Sequence, residues 1–101
     1  MVKTLALKCN KFEYPLVKEE TFIGRAEDSD IRLCQAYISR KHCVIFKGKD
    51  GYLIQDLGSR NGTYVDGENI ARRACSLKPG DFVFIGSNEQ LFYVVEHEEK
   101  S

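Results

Sequence analysis

Closely spaced turn signals constrain the fold of this chain more than any other feature of its sequence. Short apolar runs are separated by turn-forming pairs such as Asn10-Lys11, Asp50-Gly51, Asp66-Gly67 and Pro79-Gly80. Asp-Gly tolerates the positive φ angles of a tight hairpin turn, and proline followed by glycine suits a type II turn. Nowhere between these turns do apolar residues recur at helical spacing for three turns. We therefore predict an all-β chain.

The runs between the turns have the patterns of short strands. Leu5, Leu7 and Cys9 alternate with polar residues, which is the period of a half-buried strand. Residues 12–16 contain a proline, which cannot donate to a β-ladder, so we predict an edge strand there. Residues 70–77 have no clear pattern. About ten strands of this kind predict an antiparallel sandwich or barrel, and the ends of a sandwich bring distant loops together.

Length and composition indicate one globular domain. The chain has 101 residues, of which 43% are hydrophobic and 30% charged. Its 15 basic and 15 acidic side chains balance, which argues against a nucleic-acid partner. We expect no membrane partner either, and a cytoplasmic or nuclear location, because the sequence has neither a spanning apolar run nor a signal peptide. We place the domain at residues 1–95 and a charged tail or linker start at residues 96–101.

The cysteines give no sign of a metal centre. Cys9, Cys34, Cys43 and Cys75 are widely and unevenly spaced, without a Cys-x-x-Cys pair, and only two histidines accompany them. Zinc sites have characteristic ligand spacing, and disulfide frameworks belong to secreted chains. We therefore predict free thiols, no metal and no cofactor.

Three polar segments offer hydrogen-bond donors at loop positions. They are Gly24-Arg25, the segment from residue 37 to residue 42, and the segment from residue 58 to residue 63. A phosphate monoester carries about −1.5 to −2 charge and three acceptor oxygens, so guanidinium groups, hydroxyls and amides are its natural ligands. Arg25, Ser39 and Arg40 supply such groups. The Asn61 amide is suited to bonding the main chain of an extended peptide.

Enzyme sites fit these residues less well. Ser39 lies three residues before His42, but no Gly-x-Ser-x-Gly elbow surrounds it. The loop from Gly58 to Gly62 lacks the glycine-lysine-hydroxyl ending of a P-loop. We therefore predict no catalytic residues and no enzymatic activity.

The same segments carry a family resemblance. From Phe22 to about Phe92, the chain resembles a forkhead-associated (FHA) domain. The matching segments, in order along the chain, are Gly24-Arg25, residues 29–33, residues 38–42, residues 56–67, residues 77–81 and Ile85-Gly86. The resemblance implies an eleven-stranded β-sandwich whose end loops bind phosphothreonine peptides, one of the recognised ways of reading phosphate with arginines.

The resemblance also assigns roles to the ligand-facing residues. Arg25 and Ser39 resemble the family's principal phosphate contacts, and Arg40 occupies a position that often adds another. Asn61 resembles the residue that bonds the peptide main chain beside the phosphothreonine.

Further residues shape the loops or tune the ligand preference. Gly24, His42 and Gly62 resemble positions that hold the loops in shape, and His42 ties one loop to another. Arg60 and Tyr37 lie at variable peptide-contacting positions. The resemblance implies that the Tyr37 position helps to select the third residue after the phosphothreonine.

The expected function is therefore that of a noncatalytic module that binds phosphothreonine peptides and recruits phosphorylated protein partners. The alternative is a structural interaction domain of the same fold, which binds unphosphorylated partners through another face of the sandwich.

Overall fold

A computed structural model of the protein describes residues 4–71 and 73–97. Within these ranges there is no helix of the length and hydrophobicity needed to cross a membrane. The described chain forms eleven strands: β1 (Thr4–Cys9), β2 (Phe12–Pro15), β3 (Glu20–Gly24), β4 (Ile31–Arg32), β5 (Cys43–Gly48), β6 (Gly51–Asp56), β7 (Thr63–Val65), β8 (Glu68–Asn69), β9 (Cys75–Leu77), β10 (Phe82–Ile85) and β11 (Leu91–His97).

The strands form two sheets that pack face to face. One sheet has the order β2-β1-β11-β10-β7-β8, and the other has the order β4-β3-β5-β6-β9. The predicted all-β sandwich is thus confirmed, and β2 lies at a sheet edge as its proline predicts.

One strand pair departs from the antiparallel expectation, because β4 runs parallel to β3. The loop 25–30 runs back along β3. Asp30 donates its main-chain N–H to the Phe22 carbonyl oxygen at 2.9 Å, and its carboxylate accepts from the Phe22 N–H at 2.8 Å. These bonds start β4 beside β3 and point it in the same direction.

Both sheets contribute to one hydrophobic core. Leu7, Val83 and Phe92 face inward from the six-stranded sheet, and Ile45 and Ile54 face them from the five-stranded sheet. Each of these side chains is at most 1% exposed. Burying one such side chain contributes about 1.5–3 kcal/mol relative to leaving it in water. The loops at the ends of the sandwich connect the strands that this core holds together.

The turn residues in the sequence locate the tight turns of the structure to within one residue. Asp66 and Gly67 have φ angles of 50° and 88°, as the predicted tight turn requires. The turn between β5 and β6 has Lys49 and Asp50 at its centre, one residue earlier than the Asp-Gly signal suggests, because Gly48 pairs with Gly51.

Two regions differ from the sequence-based expectation. The stretch without a clear pattern contains β9, and the short β8 precedes it. The last strand extends to His97, which pairs with Thr4, so residues 96 and 97 belong to the sheet and not to a charged tail. Residues 98–101 of the predicted tail lie outside the described residues.

Candidate functional site

Loops that are distant in sequence meet at one end of the sandwich. Arg25 donates its main-chain N–H to the Ser39 carbonyl oxygen at 3.0 Å, which joins the β3–β4 loop to the β4–β5 loop. The Arg60 N–H donates to Ser39 Oγ at 3.0 Å, which brings in the β6–β7 loop. The β10–β11 loop joins them where Gly86 N–H donates to the Gly62 carbonyl oxygen at 2.9 Å. The three polar segments singled out in the sequence are therefore neighbours in space.

Gly24 allows the first two loops to approach each other. A Cβ atom at this position would overlap the carbonyl oxygen of Arg40 and lie 2.9 Å from its carbonyl carbon. Any side chain would therefore push the β3–β4 loop away from the β4–β5 loop. Glycine is needed here for close approach of two backbones, since no strained φ angle is involved.

The guanidinium group of Arg25 is fixed in place by the main chain. Its Nε donates to the Ile38 carbonyl oxygen at 3.0 Å, and the residue is half-buried. This bond uses the inner donor of the guanidinium and leaves the two terminal amino groups for a ligand. The arginine is thus pre-oriented beside Ser39.

The hydroxyl of Ser39 is also positioned by its neighbours. Its oxygen accepts from the Arg60 N–H, so the hydroxyl hydrogen remains available to donate to a ligand. Arg40, the next residue, projects an exposed side chain on the same loop. The structure thus brings Arg25, Ser39 and Arg40 together, because Arg25 bonds the Ser39 carbonyl oxygen and lines one basin with Arg40.

His42 connects two loops from below the site. The side chain is fully buried, its Nδ1 accepts from the Ser39 N–H at 3.0 Å, and its Nε2 donates to the Gly62 carbonyl oxygen at 2.8 Å. Because a main-chain N–H can only donate, Nδ1 carries no hydrogen and Nε2 does. Both ring nitrogens are therefore occupied by structural hydrogen bonds.

Asp56 holds the β6–β7 loop, and it was not among the predicted site residues. Its carboxylate accepts from the main-chain N–H groups of Gly58 and Ser59 at 3.0 and 2.9 Å, and from the Thr63 hydroxyl at 2.7 Å. A fourth bond comes from the Ser59 hydroxyl. Burial raises the pKa of the Asp56 carboxyl, but the hydrogen bonds from Ser59 and Thr63 outweigh it and hold the pKa below its usual range.

Asn61 and Tyr37 form a rim next to Ser39. Asn61 Nδ2 donates to the Tyr37 carbonyl oxygen at 2.9 Å, and the side chain is exposed. This bond holds the amide in position and leaves its oxygen free for a ligand. The Arg60 side chain is exposed on the same loop.

Gly86 is a second close approach, and it supports the Tyr37 ring. A Cβ atom here would lie 2.7 Å from the Tyr37 carbonyl oxygen and 3.0 Å from its ring, and the φ angle of 76° also favours glycine. Burial and the nearby Glu89 carboxylate raise the pKa of the Tyr37 hydroxyl. In the sequence, the Ile85-Gly86 pair of the family resemblance is what points to the close approach of Gly86 to Tyr37.

A basic basin adjoins Arg25. Arg25, Arg32 and Arg40 line it together with Ala26, Glu27 and Asp28. Arg32 was not a predicted site residue. Across residues 4–71 and 73–97, no group of histidine, cysteine and carboxylate side chains is arranged to hold a metal ion.

Comparison with known proteins identifies related sequences. The sequence model of the FHA domain matches residues 21–86, more than half of the chain. The transcriptional regulatory protein EmbR of Mycobacterium tuberculosis is 43% identical over 81 residues, which is 80% of this chain and 21% of EmbR. The oxoglutarate dehydrogenase inhibitor of Corynebacterium jeikeium is 39% identical over 77 residues, 76% of this chain and 52% of the inhibitor. The chain thus spans about a fifth to a half of these relatives.

Solved structures share the fold over nearly the whole chain. The structure of Mycobacterium tuberculosis EmbR in complex with a low-affinity phosphopeptide has a TM-score of 0.84 and 33% identity, and the match covers 97% of this chain and 26% of that one. An FHA domain solved in a study of phosphothreonine-dependent interactions has a TM-score of 0.79 and 29% identity, with 98% and 100% covered. The sequence match, the shared fold and the meeting of the motif loops agree, and the chain belongs to the FHA domain family.

Proposed function

We propose that this chain binds phosphothreonine peptides and thereby recruits phosphorylated protein partners. The main support for the proposal is the position of the Arg25 guanidinium beside Ser39. Its Nε donates to the Ile38 carbonyl oxygen, and the terminal amino groups of the guanidinium remain for a ligand. The structure of EmbR in complex with a low-affinity phosphopeptide supports phosphopeptide binding by this fold.

The phosphate would bind where Arg25, Ser39 and Arg40 meet. Its three oxygens and its charge of about −1.5 to −2 match two guanidinium groups and a hydroxyl donor. Among the described residues, no carboxylate forms an ion pair with Arg25 or Arg40. A phosphate therefore has no internal anion to displace.

The peptide would run across the rim formed by the other loop. The Asn61 amide oxygen can accept from a peptide N–H while its Nδ2 stays on the Tyr37 carbonyl oxygen. The exposed Arg60 side chain would contact the peptide near the phosphothreonine. The Tyr37 ring would favour an apolar side chain at the third residue after it.

Gly24, His42 and Gly62 would act only on the shape of the site. Gly24 permits the close approach of the first two loops, and His42 bonds both the Ser39 N–H and the Gly62 carbonyl oxygen. None of the three needs to touch a ligand for these roles.

We also infer that the module is noncatalytic. His42 Nδ1 bonds the main-chain N–H of Ser39, and Nε2 bonds Gly62, so neither ring nitrogen is placed to take the proton of the Ser39 hydroxyl. The domain would extend to His97, the last described residue of β11. The free thiols of all four cysteines suit the proposed cytoplasmic or nuclear location.

Binding of a phosphothreonine peptide and its unphosphorylated twin, measured by titration calorimetry, tests the proposal. Hydrogen bonds to charged groups contribute about 1.5–3 kcal/mol, so Arg25→Ala should weaken phosphopeptide binding by roughly tenfold to more than a hundredfold. Arg73→Ala is the matched control, since Arg73 is exposed and precedes β9 at the opposite edge of the same sheet.

The outcome separates the two candidate functions. Selective binding of the phosphorylated peptide that depends on Arg25 and not on Arg73 supports the proposal. Equal affinity for the two peptides would refute it and favour the structural interaction domain.

A further inference from the structure

The guanidinium group of Arg32 is held in the same manner as that of Arg25. Arg32 is the last residue of β4, and its Nε donates to the Arg25 carbonyl oxygen at 3.1 Å. The Nε of Arg25 is likewise used on a main-chain carbonyl, that of Ile38. In both residues the terminal amino groups remain for a ligand. A freely solvated arginine would have no such fixed orientation.

The basin beside these arginines has the dimensions of a ligand site. Its open volume is about 450 Å³, and Arg25, Arg32 and Arg40 line it. Ligand pockets have volumes of about 300–1,000 Å³. The basin therefore has room for more than the phosphate alone.

The charges of the basin are not balanced within the described chain. Glu27 and Asp28 line it together with the three arginines, which leaves a net positive charge, and no described carboxylate forms an ion pair with Arg25, Arg32 or Arg40. Adjacent like charges repel each other, and an anion placed between them relieves that repulsion. The arrangement is that of an anion site.

Arg32 lines a different part of the surface from the Ser39 hydroxyl. The lining of the basin includes neither Ser39 nor Asn61, and Arg25 stands at the border between the basin and the peptide rim. A phosphate at Ser39 would engage Arg25 and Arg40, so the terminal amino groups of Arg32 remain for another group.

We propose that Arg32 forms a second anion subsite, which selects phosphothreonine peptides carrying a further anionic group beside the phosphothreonine. The group is an acidic side chain or a second phosphate, since both present oxygens that a guanidinium binds in bidentate fashion. The inference rests on the proposed phosphopeptide binding.

A peptide scan measures this selection. The probe is a phosphothreonine peptide with alanine at all flanking positions, compared with peptides that carry one glutamate at each of the three positions on either side. A second series replaces the best glutamate with phosphothreonine, which separates the two sources of the anion. The readout is the ratio of affinities between the charged peptide and its alanine parent. We expect a ratio of about threefold to tenfold at one or two positions on one side.

Variants of Arg32 test whether this residue is the cause of the affinity ratio. In Arg32→Gln the ratio should fall to about one, and Arg32→Lys, which keeps the charge without the Nε bond, should retain part of it. Arg73→Gln removes the same charge at the opposite edge of the sheet and should keep the wild-type ratio. Thermal melts confirm that each variant is folded.

The remaining outcomes overturn the inference. A ratio of one at every position in the wild type, or a ratio that survives in Arg32→Gln because both peptides weaken by the same factor, would show that Arg32 reads no second anion. If the singly phosphorylated parent fails to bind the wild type at all, the proposed function itself fails. Binding of the parent to the wild type therefore distinguishes the two failures.

Discussion

Asp56 anchors the β6–β7 loop from beneath, and replacing it with asparagine measures how strongly the fold holds the site in shape. The side chain is 8% exposed and accepts hydrogen bonds from Gly58, Ser59 and Thr63. Asparagine has almost the same shape, so the substitution removes the charge and one acceptor oxygen without leaving a cavity.

The magnitude follows from the four hydrogen bonds. Bonds to a charged acceptor contribute about 1.5–3 kcal/mol each. The asparagine oxygen can serve the two main-chain N–H groups as a neutral acceptor, while its NH₂ group faces the hydroxyls of Ser59 and Thr63. Those hydroxyls can rotate and accept, so the loss is smaller than the sum of the bonds. We expect a loss of about 2–4 kcal/mol in the free energy of unfolding, or roughly 10–30 °C in melting temperature.

The pH dependence of the free energy of unfolding gives a second measure of the Asp56 contribution. Because the pKa of the Asp56 carboxyl is lowered in the folded state, its stabilising contribution is fully present above the unfolded pKa of about 3.9. The contribution is lost as the pH falls through the folded pKa. The stabilities of wild type and Asp56→Asn should therefore differ most near neutral pH and converge below about pH 4.

Thermal and urea unfolding between pH 3 and pH 7 is the assay. Asp50→Asn is the matched control, because Asp50 is an exposed aspartate in the β5–β6 turn and asparagine is equally suited to a turn. A melting temperature of Asp56→Asn within about 2 °C of the wild type at pH 7 would refute the reasoning, because a loss below about 0.5 kcal/mol is too small for an anchoring carboxylate.

Three other predictions concern the site and the thiols. Gly24→Ala should weaken phosphopeptide binding and destabilise the fold by about 1–3 kcal/mol, because its Cβ overlaps the Arg40 carbonyl; wild-type affinity in a titration would contradict this. Affinity for a phosphothreonine peptide should fall as the pH is lowered through the second phosphate pKa near 6, since the dianion is the better ligand; a flat profile from pH 7.5 to 5 would argue against a dianion site. An alkylating reagent should modify the exposed Cys34 in the native protein and spare Cys43, because burial raises the pKa of the Cys43 thiol to about 12; mass spectrometry that finds modified Cys43 in folded protein would count against this.

The fold could be predicted where the sequence carries turn chemistry or clear alternation. β7 (Thr63–Val65) lies between Gly62 and the predicted Asp66-Gly67 turn, so the residues on either side of it fix where it begins and ends. β8 consists of two exposed polar residues, and β9 is a three-residue edge strand, so neither has an apolar pattern that periodicity could detect. Edge strands like these are specified by the neighbour that pairs with them.

Some residues of the candidate site could likewise be predicted from the sequence, and others could not. The sequence predicts the loops that meet, because the donors of Arg25, Ser39 and Asn61 are chemically distinctive. It does not reveal Arg32, which reads as the solvent-facing member of an alternating strand. Its place beside Arg25 depends on the parallel pairing of β4 with β3, and a short parallel pair has no signature in the sequence.

The position of each residue also predicts which property of binding it controls. His42 and Asp56 are buried and fix the main chain beneath the site, so the loops are held in shape by contacts within the protein. A change in these anchors alters the binding surface presented to every ligand, and should weaken binding to all phosphothreonine peptides by a similar factor. Arg32 in the basin and Arg60 on the β6–β7 loop are exposed, and each would contact only part of a peptide, so their replacement should change the ranking of peptides. Comparing Asp56→Asn with Arg32→Gln on one peptide series therefore separates loss of loop support from loss of selectivity, and a change of ranking in Asp56→Asn would show that the loop does more than support the site.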